Sequence, residues 1–311
     1  MITTFNTMLP AASSKYPPRN RLRSSIIAAL TLVICALAAG CSLLKIGYGQ
    51  ASPLAFRWLD GYVDFDDAQS LRVRTALDEA MRWHRRTQLP DYVELLVRAE
   101  GEVRGDVSPE RMCAWGRDLR DRGDVLAQYA LPTVVEIALT LSPAQIGNIE
   151  KRQVKTNAEW RDDHLQRDPE KRRRAEVKRE IERAEEFYGD LDDGQRALVL
   201  RSVAASPYDA ELSYAERLAR QRDAVALVRR WRDSGTGRDE ALAQARGWVQ
   251  RLERSPRQTY RLYSDRLADY RCSFASELHN TTSAGQRSEA VKKLKGYEGD
   301  LRALIAEAAS G

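Results

Sequence analysis

A residue able to cap a helix, followed three places later by glutamine, occurs five times in this 311-residue chain: Asp66/Gln69, Ser142/Gln145, Asp192/Gln195, Ser255/Gln258 and Ser283/Gln286. In such a box the cap side chain accepts the N–H of the third helical residue, and that residue's side chain reaches back to the cap's own N–H. A second signature overlaps it. Ser-Pro stands at Ser52-Pro53, Ser108-Pro109, Ser142-Pro143, Ser206-Pro207 and Ser255-Pro256. Serine satisfies an orphan N–H there, and proline at the first helical position gives up an N–H that would be unpaired anyway. Both signatures predict helix starts, and they agree at two sites.

Between the starts the apolar spacing is helical. Tyr260, Tyr263, Leu267, Tyr270, Phe274 and Leu278 step by three and four, as do Val291, Leu294, Tyr297, Leu301, Leu304 and Ala308. No segment alternates apolar and polar over strand length. The reading gives helices at 53–62, 66–88, 90–104, 109–139 (bent at Pro132), 143–167, 169–188, 193–205, 207–233, 238–254, 256–279 and 284–309. The expected fold is all-α, an elongated antiparallel bundle of roughly ten helices. Within a helical region 53–311, two lobes, 53–190 and 191–311, are the alternative.

Residues 150–186 differ in composition, with 12 Lys and Arg, 11 Asp and Glu, and few apolar residues. A helix polar on most faces runs through solvent. A protruding charged helical arm is expected, broken at Asp168-Pro169. It is either a partner-binding arm carrying Arg172, Arg173 and Arg174, or a solvated face held by pairs of opposite charge.

Charge outside the first forty residues is almost balanced. That segment holds Lys15, Arg19, Arg21 and Arg23 and no acid, so four of the 50 basic residues belong to it. The other 271 residues carry 46 basic against 45 acidic side chains. No large phosphate-binding surface follows from such a balance, and no nucleic-acid partner is expected. Residues 24–40 are uncharged and apolar, short for a bilayer span, and rich in small residues at the end. A basic start, a short apolar core and a small-residue end make a secretory signal. The stretch closes on Leu37-Ala38-Ala39-Gly40-Cys41, which resembles the lipobox of bacterial lipoproteins, with Ala38 where leucine is commoner. The resemblance implies a signal peptide over 1–40, acylation of Cys41, and a tether over 41–52. It also implies a membrane-lipid partner reached through the acyl chains, which make anchoring essentially permanent. Ser42 in place of aspartate favours the outer membrane, facing the periplasm. Met8 is an alternative start to Met1.

Cys113 and Cys272 remain. An oxidising compartment makes an even pair most simply a disulfide, and both lie on the flanks of their helices' apolar stripes. The histidines, His84, His164 and His279, have no metal-ligand spacing, so no metal site is expected. No nucleophile elbow or glycine-rich phosphate loop is present, and neither a catalytic residue nor a cofactor is expected. Asp66-Asp67 and Asp192-Asp193 sit at helix starts, where carboxylates oppose the helix dipole. The stripe Tyr260, Tyr263, Tyr270 and Phe274 reads as core, with arginines as partners for the hydroxyls. Trp58 and Tyr62, with Trp83 and His84, are large polar-tipped residues near one another in sequence. They form either a surface recognition site or a lock between the first helices.

The run Gly47-Tyr48-Gly49, Trp58-Leu59-Asp60, Asp66, Trp83-His84-Arg85-Arg86 and Leu89-Pro90-Asp91-Tyr92, just past a lipobox, resembles a proteobacterial lipoprotein family, domain of unknown function 6279. That resemblance implies location and fold, without a mechanism. Leu141-Ser142-Pro143-Ala144-Gln145 and Leu191-Asp192-Asp193-Gly194-Gln195 are similar to the L-T-x-x-Q repeats of the Spy/CpxP periplasmic chaperones, with Ser or Asp replacing Thr. The likeness implies client binding on a helical surface. The function expected is that of a non-enzymatic outer-membrane lipoprotein binding periplasmic protein partners or clients. A structural or assembly component of an envelope complex is the alternative, and an envelope enzyme the third.

Overall fold

The computed structural model describes residues 43–310, and the chain divides into two compact units, 1–46 and 47–311. Cys41, the signal segment and both candidate start residues lie outside the described residues. The fold is all-α. Twelve helices, and no strand among the described residues, follow in order: α1 (Leu43–Gly49), α2 (Ala51–Val63), α3 (Asp67–Thr87), α4 (Leu89–Glu102), α5 (Pro109–Leu139), α6 (Pro143–His164), α7 (Pro169–Tyr188), α8 (Asp193–Ala205), α9 (Ala210–Ser234), α10 (Arg238–Glu253), α11 (Gln258–Asn280) and α12 (Ala284–Ser310). Helix α1 falls where a tether was expected.

Four of the five glutamine boxes form. Asp66, Ser142, Asp192 and Ser283 each accept the N–H of the glutamine three residues on, and each glutamine Oε1 accepts the cap's N–H in return. The fifth does not. Ser255 turns its hydroxyl to the N–H of Arg257 (3.1 Å), and α11 starts after Arg257 with no side-chain cap. Ser206 likewise accepts from Tyr208 (3.2 Å), so α9 starts at Ala210 under an Asp209 cap. A serine hydroxyl that satisfies the N–H two residues on builds a turn instead of a helix start. Ser52 also caps nothing, because α2 already begins at Ala51. Of the five Ser-Pro pairs, Ser108 and Ser142 are the caps.

The four boxes meet in two pairs. Gln145 Nε2 donates to the Asp64 carbonyl (3.0 Å) and to Gln69 Oε1 (2.6 Å), while Gln69 Nε2 donates to the Thr140 carbonyl (3.3 Å). Gln286 Nε2 donates to the Asp190 carbonyl (2.9 Å) and to Gln195 Oε1 (2.9 Å), while Gln195 Nε2 donates to the Thr281 carbonyl (3.2 Å). In all four cases the accepting carbonyl lies two residues before the partner's cap. These clasps tie the start of α3 to that of α6, and the start of α8 to that of α12.

Packing around the clasps matches. Helix α2 packs on α3 and α6 as α7 packs on α8 and α12, and α3 packs on α5 as α8 does on α11. Val63, Leu141 and Ile146 bury beside the first clasp; Ala184, Leu191, Leu198 and Val199 bury beside the second. Fully burying a side chain of the valine or leucine class contributes roughly 1.5–3 kcal/mol relative to exposure. The unit 47–311 thus contains two equivalent four-helix arrangements, α2/α3/α5/α6 and α7/α8/α11/α12. Helices α5 and α11 run antiparallel, since Val107 bonds Asn280 and Cys113 bonds Cys272. The clasps therefore sit at opposite ends of α5, whose 31 residues span about 46 Å. A further core joins Leu131 and Val135 of α5 to Leu227 and Trp231 of α9 and Ala241 and Ala245 of α10.

The charged segment is not the projecting arm expected from its composition. Helix α6 packs on α2 and α9, and α7 on α8 and α12. The reason is spacing: Val177, Ile181, Ala184 and Tyr188 stand at i, i+4, i+7 and i+11, a stripe narrow but sufficient to seat α7. The elbow, residues 158–174, holds no buried residue. Pairs of opposite charge on α7 are Arg173–Glu170, Lys178–Glu182 and Arg183–Glu180.

Candidate functional site

The seating of α7 on α8 leaves a concavity of about 370 Å³ between them. Its floor is Val177, Ile181 and Leu200; its rim is Arg173, Arg174, Lys178 and Arg196 with Glu182. Val177 is buried against the bundle, whereas Leu200 is 52% exposed at the mouth. Each rim cation has a carboxylate from its own neighbourhood: Arg173 pairs with Glu170 (2.5 Å), Arg174 with Asp168 (4.0 Å), Lys178 with Glu182 (3.7 Å) and Arg196 with Glu185. The rim is charged but locally balanced, so the feature left without a partner is the apolar floor.

The sequence-predicted surface residues separate. Trp58 is 60% exposed, its ring 4.8 Å from that of Tyr62, and the Arg152 guanidinium lies 5.4 Å from the Tyr62 ring. Trp83 and His84 belong to the lock between helices. Trp83 stacks on Tyr129 of α5 at 3.9 Å, and His84 Nδ1 meets the Tyr48 hydroxyl at 2.8 Å. Burial pushes the Tyr48 hydroxyl up to about 12 and the His84 imidazole below its ordinary value. The Lys171–Arg174 run is also divided: Arg173 and Arg174 line the α7/α8 groove, and Arg172 faces the elbow. Sequence reading passed over the groove floor. Val177 and Ile181 stand among charged residues on α7, and Leu200 belongs to a different helix.

Cys113 and Cys272 are disulfide-bonded, their Cα atoms 5.3 Å apart, joining α5 to α11. Two helical turns beyond Cys272, His279 is fully buried. Its Nδ1 lies 3.0 Å from the Tyr188 hydroxyl and its Nε2 2.8 Å from the Gly105 carbonyl. Burial holds this imidazole below the ordinary histidine value, against the opposing effect of the Gly105 carbonyl. The tyrosine stripe of α11 is core, but its hydroxyls do not seek arginines. Tyr270 donates to the Ser202 carbonyl (2.6 Å), an orphan of the last turn of α8, and Tyr263 bonds Asp209 and Ser213. Arg220 instead lies over the Tyr260 ring face at 5.5 Å.

Among the described residues no three His, Cys, Asp or Glu side chains gather as metal ligands, and no helix is long and apolar enough to cross a membrane. The class defined by fold and site is thus an all-helical protein built on two glutamine-clasped arrangements, with an apolar groove on one of them. A model described as a family of unknown function (DUF6279) matches residues 61–269, two thirds of the chain, and the chain belongs to that family. No curated protein and no solved structure matches it.

Proposed function

We propose that this chain is a non-enzymatic lipoprotein, anchored in the outer membrane through acylated Cys41 and facing the periplasm, that holds protein partners or clients on its helical surface. The observation that carries this reading is the α7/α8 groove. Its apolar floor opens to solvent at Leu200, and its rim charges are satisfied at home. Such a groove accepts apolar side chains from many segments, because no unpaired rim charge selects for one sequence. The likeness of the clasp motifs to the L-T-x-x-Q repeats of helical periplasmic chaperones supports the same reading.

The test is a photo-reactive residue at position 200, with a second at exposed Leu262 of α11 as the control site, activated in intact envelopes. Polypeptide adducts at 200 that outnumber those at 262, and that compete with an added unfolded polypeptide, are the expected result. A single stoichiometric adduct would favour a structural or assembly role instead. Absence of adducts at 200 would contradict partner binding through the groove.

A further inference from the structure

At the elbow between α6 and α7 a second concavity, of about 340 Å³, is lined by Arg161, Arg167 and Arg172, with Gln166, Glu211 and Tyr214. It differs from the groove in how its charges are met. Arg173 and Arg174, next along the chain, are paired with Glu170 and Asp168. By contrast, Arg161, Arg167 and Arg172 form no ion pair with any described residue, although this segment carries almost as many acids as bases. Three arginines lining one hollow bring guanidinium donors to it, and guanidinium donors suit the oxygens of a phosphate group.

The remaining walls are of another kind. Gln166 Oε1 is shielded from solvent and accepts no hydrogen bond. Glu211 adds a second acceptor across the hollow. An acceptor beside an anion is favourable only where the ligand also carries donors, as the hydroxyls of a polyol do. Tyr214 supplies a ring fixed from behind by Trp160, which stacks on it at 5.3 Å, while the Arg161 guanidinium lies 6.0 Å from its centre.

We infer that the elbow is a binding site for a phosphorylated polyol, with Arg161, Arg167 and Arg172 taking the phosphate and Gln166 and Glu211 accepting from its hydroxyls. That chemistry occurs both in a free polyol phosphate and in a phosphoglycerol lipid headgroup, and the experiment separates the two. The full chain in a neutral detergent is titrated calorimetrically with glycerol 3-phosphate. Separate titrations use dihexanoyl phosphatidylglycerol and dihexanoyl phosphatidylcholine, each below its micelle concentration. Binding of glycerol 3-phosphate alone assigns the free compound; tighter binding of phosphatidylglycerol, with none of phosphatidylcholine, assigns the headgroup. In either case the triple variant R161Q/R167Q/R172Q binds at least tenfold more weakly with its helical circular dichroism unchanged. The control R183Q/R229Q, which removes two arginines already paired with Glu180 and Glu150, binds as the unaltered chain does. Equal loss in both variants, no loss in the triple variant, or no binding of any probe would overturn the site.

Discussion

His279 shows how a single buried side chain carries the packing of three segments. Its two nitrogens join α11 to the Tyr188 hydroxyl at the end of α7 and to the Gly105 carbonyl between α4 and α5. Nε2 donates to the carbonyl, so Nδ1 of the neutral ring accepts from Tyr188. Burial lowers its folded pKa below the 6.5 of an exposed ring, so its contribution is complete above that value. The contribution is lost as pH falls through the lower folded value, where the ring must charge inside the bundle. The melting temperature of the unaltered chain should therefore decline more steeply below about pH 6.5 than that of His279→Gln, which titrates nothing at this position. Parallel profiles would mean that the ring charges without cost. Gly105 lies 174 residues from His279, and no local pattern announces their bond. The tyrosine hydroxyls were misread for a related reason. Orphan carbonyls at helix ends are acceptors that a sequence shows only once its helices are paired.

The glutamine clasps belong to the scale of elements. Each glutamine reads locally as the third residue of a capping box, and that reading holds at four positions. What the box leaves over is the amide nitrogen, and its destination lies on another helix start, 76 residues off in one clasp and 91 in the other. Recurrence of the motif was visible in the sequence; the pairing was not. Gln145 and Gln195 are themselves buried, and Gln145→Ala and Gln195→Ala each remove the clasp bonds of the amide nitrogen and the return bond to the cap's N–H. Each should lower unfolding free energy by roughly 1–3 kcal/mol in urea titrations. Because the clasps stand at opposite ends of α5, Gln69→Ala and Gln145→Ala should be strongly non-additive, and Gln145→Ala with Gln195→Ala additive. Coupling between the two ends would contradict two independent clasps. The charged helices α6 and α7 teach the complementary lesson. Composition makes them look like an arm in solvent, but Ile146 and Asn157 bury on α6, and on α7 Val177, Ile181, Ala184 and Tyr188 at helical intervals outweigh the charges around them.

At the scale of the molecule, the Cys113–Cys272 bond closes 159 residues of chain and joins the two equivalent arrangements through their antiparallel central helices. In the chain-entropy model a loop of that length is worth at most about 5 kcal/mol. Replacing both cysteines by serine should thus lower the melting temperature markedly while the helical signal below the transition persists; an unchanged melting temperature would show the bond to be dispensable. Replacing Cys41 by serine should abolish the acyl mass and the fractionation with the outer membrane, and retention of both would refute the lipobox assignment. Groove and anchor together make the central claim, a tethered helical surface that holds polypeptide through apolar contacts. A fluorescently labelled, permanently unfolded polypeptide is titrated with the full chain and with Leu200→Glu, and anisotropy is followed at low and high salt. The account predicts saturable binding that salt weakens only mildly, because the rim is already neutralised, and that Leu200→Glu weakens at least tenfold with helicity intact. Binding that Leu200→Glu leaves unchanged, or no saturable binding at all, would contradict it.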